Sequence, residues 1–229
     1  LKTDLRAEPN SDQSLTKALW DKGARTQVQV ALRGSFSFQK EDDDEPIRES
    51  ASRHRVRQLP WIVINHVDLE DYVASTTSSE SLDHFAFEAL KAQAIVIRTY
   101  AVHEMLRARF ERQRTWDVNP TTLFQSYKGV QWKPRMAGWQ AVESAEARSA
   151  TEDTAHQLLV YDNEVIKAYF HANSGGRTCP AQECLKTKTN PPYLQSVVDA
   201  EGVKSVPNTG TWGIGRRVSL DQIQRVLAS

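Results

Sequence analysis

One isolated glutamate stands directly before a long segment of helical character. Glu80 closes the run ASTTSSE and precedes FEALKAQAIVIRTY, which carries Lys91, Gln93 and Arg98 among small and apolar residues. A carboxyl group can give up and take back a proton during a reaction, and nearby amide and cationic groups can hold the reacting molecule. The pattern therefore suggests a site that includes Glu80.

The polar residues of this segment do not share one helix face. At 100° per residue, Lys91 and Arg98 align because they are seven positions apart, whereas Gln93 lies on another side. We predict that Lys91, Gln93 and Arg98 bind substrate. For Gln93 and Arg98 the alternative is a buried role, in which they organise the neighbouring loops.

Four further residues downstream could contact a bound molecule. In LFQSYKG, Gln125 offers an amide and Tyr127 a flat ring, although Tyr127 could equally belong to the core. His171 and Ser174 occur in HANSGG, where glycines let backbone amides approach a ligand closely. His171 and Ser174 do not indicate a serine hydrolase, because the sequence has no G-x-S-x-G elbow and places no acid partner.

The two cysteines, Cys179 and Cys184, are separated by PAQE in a loop that follows two glycines. A local disulfide fits this spacing, and an oxidising compartment would permit it. Zinc is the second interpretation, with His171 as a further ligand, but this set is one ligand short of a closed structural site. Two free thiols are the third.

The spacing of apolar residues predicts the helices and strands that position these residues. Apolar residues at steps of three and four predict a central helix over 85–112, and VDLEDYVASTTSS predicts a short helix that delivers Glu80 at its end. TQVQVALRGSFSF predicts two strands joined as a hairpin, and WIVINHV a buried strand. HQLLVYDNEVIKAYFHA predicts two strands that turn at Asp162 and Asn163.

These elements predict an α+β fold, with a central helix packed against antiparallel strands and a groove at their polar ends. We expect residues 1–24 to be an N-terminal extension with a short helix around Leu15–Trp20, and residues 25–229 to form a single domain with a further helix over 137–149. The acidic run at 41–45 is read as a solvated loop, because the spacing and glycine of a calcium loop are missing.

Bulk composition excludes some classes of partner. The 29 basic residues equal the 29 acidic ones, so no global field recruits nucleic acid or an anionic membrane. No apolar run approaches the roughly 20 residues that a membrane-spanning helix needs. We therefore expect neither a nucleic-acid partner nor a membrane-spanning segment.

Five blocks occur in an order that resembles the SpoIID/LytB family, bacterial proteins that act on peptidoglycan. They are LEDYV (69–73), the run from Ser78 to Val102, DVNPTTLFQSYKG (117–129), AYFHANSGGRT (168–178) and PPYLQSVVD (191–199). With a weaker tail around Trp212 and SLDQIQRVL, the resemblance covers roughly residues 60–229. Several ordered blocks are more specific than any single motif.

The resemblance implies a lytic transglycosylase that acts on peptidoglycan glycan strands and is exported to the bacterial cell envelope. In such enzymes the C6 hydroxyl of the muramic acid attacks its own C1, which gives a 1,6-anhydro product. The essential glutamate lies in a Ser-Glu step before the EALKAQA helix, which corresponds to Ser79 and Glu80. The family commonly continues with Met-Pro, whereas this chain has Ser81 and Leu82.

The resemblance also bears on cofactors, partners and substrate. No cofactor is required, although some relatives bind zinc through His and Cys near the region of His171, Cys179 and Cys184. LytB-type relatives enhance amidases instead of cutting glycan, so a noncatalytic wall-binding modulator with an amidase partner is the second hypothesis. Several SpoIID relatives prefer glycan stripped of its stem peptides, and we expect the same preference here.

Overall fold

The computed structural model describes part of the 229-residue chain. The described residues are 8–9, 16–21, 27–40, 61–81, 84–111, 115–120, 124–134, 138–172, 174–185 and 190–199. The acidic run at 41–45 and the tail around Trp212 lie outside them. The chain divides into two compact units, Leu1–Tyr169 and Phe170–Ser229.

The first unit contains nine strands and three α-helices among the described residues. The strands are β1 Glu8–Pro9, β2 Thr16–Asp21, β3 Gln27–Leu32, β4 Ser35–Lys40, β5 Trp61–His66, β6 Gln131–Pro134, β7 Gln140–Ala141, β8 Val160–Tyr161 and β9 Glu164–Val165. The helices are α1 Leu69–Glu80, α2 Phe87–Glu111 and α3 Ala145–Asp153. The mixed α+β class predicted from the sequence is confirmed.

All pairings between the described strands are antiparallel. One sheet has the order β1-β2-β3-β6-β7, and β4-β5 and β8-β9 form two-stranded sheets. The β8-β9 turn is the predicted one, with positive φ at Asp162 (52°) and Asn163 (62°). Both residue types tolerate this left-handed conformation. The predicted division into residues 1–24 and 25–229 stays a prediction.

Three local predictions are wrong. Residues 16–21 form β2 and not a helix, because their backbone pairs with β3 along six residues. β3 and β4 do not form a hairpin, since β3 pairs with β2 and β6 while β4 pairs with β5. The helix predicted over 137–149 begins later, at Ala145, because the Ser144 side chain caps it by accepting from the Ala147 N–H at 3.1 Å.

The long helix α2 forms the core of the first unit, as predicted. Its buried side recurs every three or four residues and packs against α1 and α3. The buried residues on this side are Leu90, Ala94, Ile97, Ala101 and Ala108. Three of these five are alanines, which let neighbouring helices approach closely.

The helix α1 is buried through its middle and ends at the candidate acid. Its N-cap is Asp68, whose side chain accepts from the Glu70 N–H at 2.8 Å. Residues 72–77 are buried, and Ser81 closes the last turn by donating its backbone N–H to the Thr77 carbonyl at 3.0 Å. Glu80 is therefore the last residue of a helix whose position is determined by the core.

A cluster of four charged side chains lies between the end of β3, the start of α1 and α3. Arg33 contacts Glu143 at 2.5 Å and Asp71 at 3.6 Å, and Arg148 contacts the same two carboxylates at 2.5 and 2.8 Å. Burial alone would raise the pKa of Glu143, but hydrogen bonds from Arg148 and Arg33 outweigh it and hold that pKa below its usual value. The cluster ties α1 and α3 to the end of β3.

We predict that Glu143→Gln lowers the free energy of unfolding at about pH 6 by about 2 kcal/mol, because three charge-assisted hydrogen bonds, two from Arg33 and one from Arg148, weaken. The depressed folded pKa means that the carboxylate stabilises the fold above its unfolded pKa of about 4.3 and loses this effect as the pH falls through the folded pKa. Urea unfolding at about pH 6 and about pH 3 should therefore show a smaller loss on acidification in the variant than in the wild type.

The matched control is Glu152→Gln, which removes an exposed carboxylate from the same helix region. It should leave the acid sensitivity of the wild type unchanged. Equal acid sensitivity in Glu143→Gln and the wild type would contradict the stabilising role of the cluster.

Candidate active site

The carboxyl group of Glu80 is hydrogen-bonded through one of its two oxygens. Its Oε1 accepts the backbone N–H of Ser126 at 2.5 Å, and the side chain is partly exposed. Within the described parts of the chain, the hydrogen bonds leave Oε2 unengaged. An oxygen that already accepts an N–H is the poorer place for a proton. The geometry therefore leaves Oε2 as the oxygen that can carry a proton.

The residue before Ser126 is anchored inside the protein. Gln125 is fully buried, and its Oε1 accepts the Tyr72 hydroxyl at 2.9 Å. Its Nε2 donates to the Ile97 carbonyl at 3.4 Å. The structure thus brings Gln125 close to the site of Glu80, but it leaves this side chain no surface for a substrate.

Tyr127 packs beside the same tyrosine. The rings of Tyr72 and Tyr127 stack with centroids 5.2 Å apart, and the Tyr127 hydroxyl donates to Asn65 Oδ1 at 3.3 Å. Burial is the main reason that the pKa values of both tyrosines lie above their usual range, and the negative charge of Glu80 adds to the effect on Tyr72. Both hydroxyls therefore remain protonated donors at neutral pH.

Arg98 is an internal connector. Its side chain has no exposed surface and binds Glu70 through two hydrogen bonds, at 2.9 and 2.7 Å. It also donates to the carbonyl oxygens of Thr151 at 3.1 Å and Gln157 at 3.4 Å. Of the two roles predicted for Arg98, this arrangement corresponds to the buried organiser, because a guanidinium with four protein acceptors and no exposure has nothing left for a substrate.

Lys91 and Gln93 lie nearer the surface of α2. Lys91 forms ion pairs with Glu88 at 3.2 Å and Asp153 at 3.9 Å, and Gln93 is partly exposed. No contact among the described residues joins either side chain to Glu80. Their role in substrate binding stays a prediction.

The remaining predicted residues belong to the second unit. Ser174 Oγ donates to Asp199 Oδ2 at 2.7 Å and accepts the Gly176 N–H at 3.1 Å, while His171 is exposed. Gly175 and Gly176 have φ values of 67° and 99°, a conformation that favours glycine. These bonds shape the loop after His171, and substrate contacts by His171 and Ser174 stay predictions.

The two cysteines are joined. Cys179 and Cys184 form a disulfide with Cα atoms 6.0 Å apart, across the short helix α4, Ala181–Cys184. Zinc binding by these sulfurs would require the reduced form, because a disulfide leaves no thiolate. Among the described residues, no group of three or more His, Cys, Asp or Glu side chains is arranged to hold a metal ion.

Sequence reasoning missed three groups of this site, Tyr72, Ser126 and Asn65. Tyr72 carried a weak signal, because it lies eight residues before Glu80, which places the two about 80° apart around the helix at 100° per residue. Ser126 carried none, since it contributes a backbone N–H that almost any residue would supply.

Comparison with known proteins identifies relatives of this chain. A family model described as SpoIID, Stage II sporulation protein, matches residues 58–161. An uncharacterized protein of Brachyspira hyodysenteriae is 37% identical over 136 residues, which are 59% of this chain and 33% of that protein. A Stage II sporulation protein D of Bacillus amyloliquefaciens is 29% identical over 210 residues, 90% of this chain and 59% of that protein.

A more distant similarity joins the chain to an amidase enhancer of Bacillus subtilis, with 27% identity over 117 residues, 51% of this chain and 14% of that protein. In all three relatives the chain spans less than two thirds of the other protein's length. The matched family region contains Glu80, Arg98 and Gln125 but ends before His171. Within the described segments, no helix is both long enough and apolar enough to cross a membrane.

We predict that Arg98→Met lowers the free energy of unfolding by about 3 to 5 kcal/mol, because it leaves Glu70 and two carbonyl groups without their buried donor. The matched control is Lys91→Met on the same helix, which removes exposed ion pairs and should cost less than about 1 kcal/mol. Chemical denaturation of both variants measures the difference. Similar costs would show that Arg98 does not organise the three helices.

Proposed function

Because the chain belongs to the SpoIID family, whose domain occupies residues 58–161, we propose that it is a peptidoglycan lytic transglycosylase. It would cleave the bond between MurNAc and GlcNAc and leave 1,6-anhydro-MurNAc ends. The observation that carries the proposal is the Glu80 carboxyl group, held through Oε1 by the Ser126 N–H and uncommitted at Oε2. Family membership by itself is consistent with a cell-wall-related function.

The proposed reaction needs one carboxyl group in two roles. Glu80 Oε2 gives its proton to the departing glycosidic oxygen while positive charge develops at C1 of the muramic acid. The C6 hydroxyl of the same sugar then attacks C1, and the Glu80 carboxylate accepts the hydroxyl proton. The C1–O bond to the leaving sugar breaks, a new C1–O6 bond forms, and the glutamate returns to its protonated state.

The other carboxylates around α1 support a one-acid reaction. A hydrolase normally uses a second carboxylate, as nucleophile or as base for water. Here Glu70 is paired with the buried Arg98, and Asp71 and Glu143 are paired with Arg33 and Arg148. Carboxylates engaged in this way are poor candidates for the second role.

The second candidate is a noncatalytic wall-binding modulator of an amidase. The similarity to an amidase enhancer favours it, and so does Ser81-Leu82 in place of the Met-Pro that commonly follows the family glutamate. Both candidates place the protein outside the cytoplasm, in the cell envelope. That location, peptidoglycan as substrate and an amidase as partner are parts of the proposal.

We predict that Glu80→Gln abolishes release of anhydromuramyl ends from purified glycan, with a loss of about a hundredfold or more, because the amide cannot donate the required proton. The glutamine keeps an oxygen that can accept the Ser126 N–H, so the thermal unfolding temperature should stay near that of the wild type. Mass spectrometry of the glycan ends measures the product.

The matched control is Glu88→Gln, which removes a carboxylate whose side chain is 81% exposed and which should retain activity. Anhydro ends at the wild-type rate from Glu80→Gln would exclude Glu80 as the acid. Reducing ends would indicate a hydrolase, and the absence of new ends from the wild-type protein would favour the modulator.

We also predict faster cleavage of glycan stripped of its stem peptides than of intact sacculi, because the chain has no excess of basic residues to attract acidic peptides. In the first unit, sugar contacts would come from partly exposed candidates such as Tyr127. Turnover is compared before and after amidase treatment, with an amidase-only control that yields no anhydro ends. Equal rates on both substrates would contradict this preference.

A further inference from the structure

The segment 125–127 is attached to the protein on both sides of Ser126. On one side the Gln125 amide binds the Tyr72 hydroxyl and the Ile97 carbonyl. On the other, the Tyr127 ring stacks on Tyr72. The N–H that holds Glu80 is thus carried by a segment with little freedom to move away from it.

Burying the side-chain amide of Gln125 costs free energy unless its polar atoms are hydrogen-bonded. Gln125 has no exposed surface, and a buried amide without partners would destabilise the fold, whereas Leu or Met would fill such a position without that demand. Both partners of Gln125 come from helices, Tyr72 from α1 and Ile97 from α2. These hydrogen bonds fix the position of the backbone at residue 125 relative to the two helices.

The helix that supplies the anchor also carries the acid. Tyr72 and Glu80 are eight residues apart on α1, about 12 Å along the helix axis. The link from Tyr72 through Gln125 to the Ser126 N–H therefore starts and ends on one rigid element. The Gln125 bond to the Ile97 carbonyl also ties this segment to α2, so the position of the N–H is fixed relative to both helices.

We propose that Tyr72 and Gln125 are positioning residues for Glu80: their buried hydrogen bond holds the Ser126 N–H against Oε1 and so directs Oε2 towards the substrate. This assigns Gln125 a role different from the sugar contact predicted from the sequence. The consequence for catalysis depends on the proposed function, whereas the positioning itself does not. Misplacement of a reacting group by a fraction of an ångström lowers the rate of a reaction without changing binding.

The first test measures the position of the N–H directly and needs no activity. The Ser126 amide is followed by NMR during a pH titration, because an N–H bonded to a carboxylate shifts when that carboxylate is protonated. We expect a titrating signal in the wild type and its loss in Glu80→Gln. Tyr72→Phe and Gln125→Met, which break the same hydrogen bond from opposite partners, should also abolish or greatly reduce the titration.

The matched control is Tyr100→Phe, since Tyr100 and Tyr72 are both 6% exposed and only Tyr72 bonds to Gln125. This control should keep the wild-type titration. The thermal unfolding temperature of each variant is measured alongside, so that a general loss of structure is distinguished from a local one. A Ser126 titration that survives unchanged in folded Tyr72→Phe or Gln125→Met would overturn the proposal.

The second test measures the reaction on peptide-free glycan. Tyr72→Phe and Gln125→Met should lower kcat by about tenfold and leave KM unchanged, because they alter the acid and not the sugar contacts. A rise in KM at unchanged kcat would instead identify Gln125 as a substrate contact.

The two tests separate the two proposals. If the wild-type protein produces no anhydro ends, the proposed reaction fails, but the NMR titration still decides whether Tyr72 and Gln125 hold the Ser126 N–H. If anhydro ends appear and the titration does not depend on Gln125, the reaction stands and the positioning role fails.

Discussion

The buried Arg98 is the constraint on which the first unit depends. A guanidinium without exposed surface is tolerated only if its charge and its N–H groups find partners inside the protein. Glu70 on α1 supplies the charge, and the carbonyl groups of Thr151 and Gln157 supply further acceptors at the end of α3 and beyond it. Since Arg98 lies on α2, it can form all of these hydrogen bonds at once only when α1, α2 and α3 pack in one arrangement.

This arrangement determines where the candidate acid lies. Glu70 is at the start of α1 and Glu80 at its end, so the bond that docks the first turn also orients the last one. At the far end, the Ser144 N–H donates to Ser78 Oγ at 3.0 Å and joins α1 to the N-cap of α3. Glu80 therefore projects from a helix that is held at both ends.

Several charged groups among the described residues of this unit are paired with one another. Glu104 of α2 is fully buried and pairs with Lys167 at 2.9 Å, and Arg33, Asp71, Glu143 and Arg148 are paired with one another. Glu80 differs from these carboxylates, because its hydrogen bond comes from a neutral backbone N–H.

The sequence by itself determined the elements whose signals are local. The central helix follows from apolar residues at steps of three and four, and the end of α1 at Glu80 follows from the composition of a short segment. The β8-β9 turn follows from Asp162 and Asn163, which accept a positive φ. In each case the residues that carry the signal are also those that adopt the structure.

Only the tertiary structure decided the pairings and the roles. β3 and β4 adjoin in sequence but belong to different sheets, because strand partners are chosen by contacts between distant residues. From the sequence, Gln125 was predicted to contact substrate, and Arg98 either to contact substrate or to organise neighbouring loops from a buried position. In the structure both are buried where their hydrogen-bonding groups meet partners from other elements. The N–H that holds Glu80 belongs to the backbone, which is the same in almost every residue, so its place beside the acid could be known only once the chain was folded.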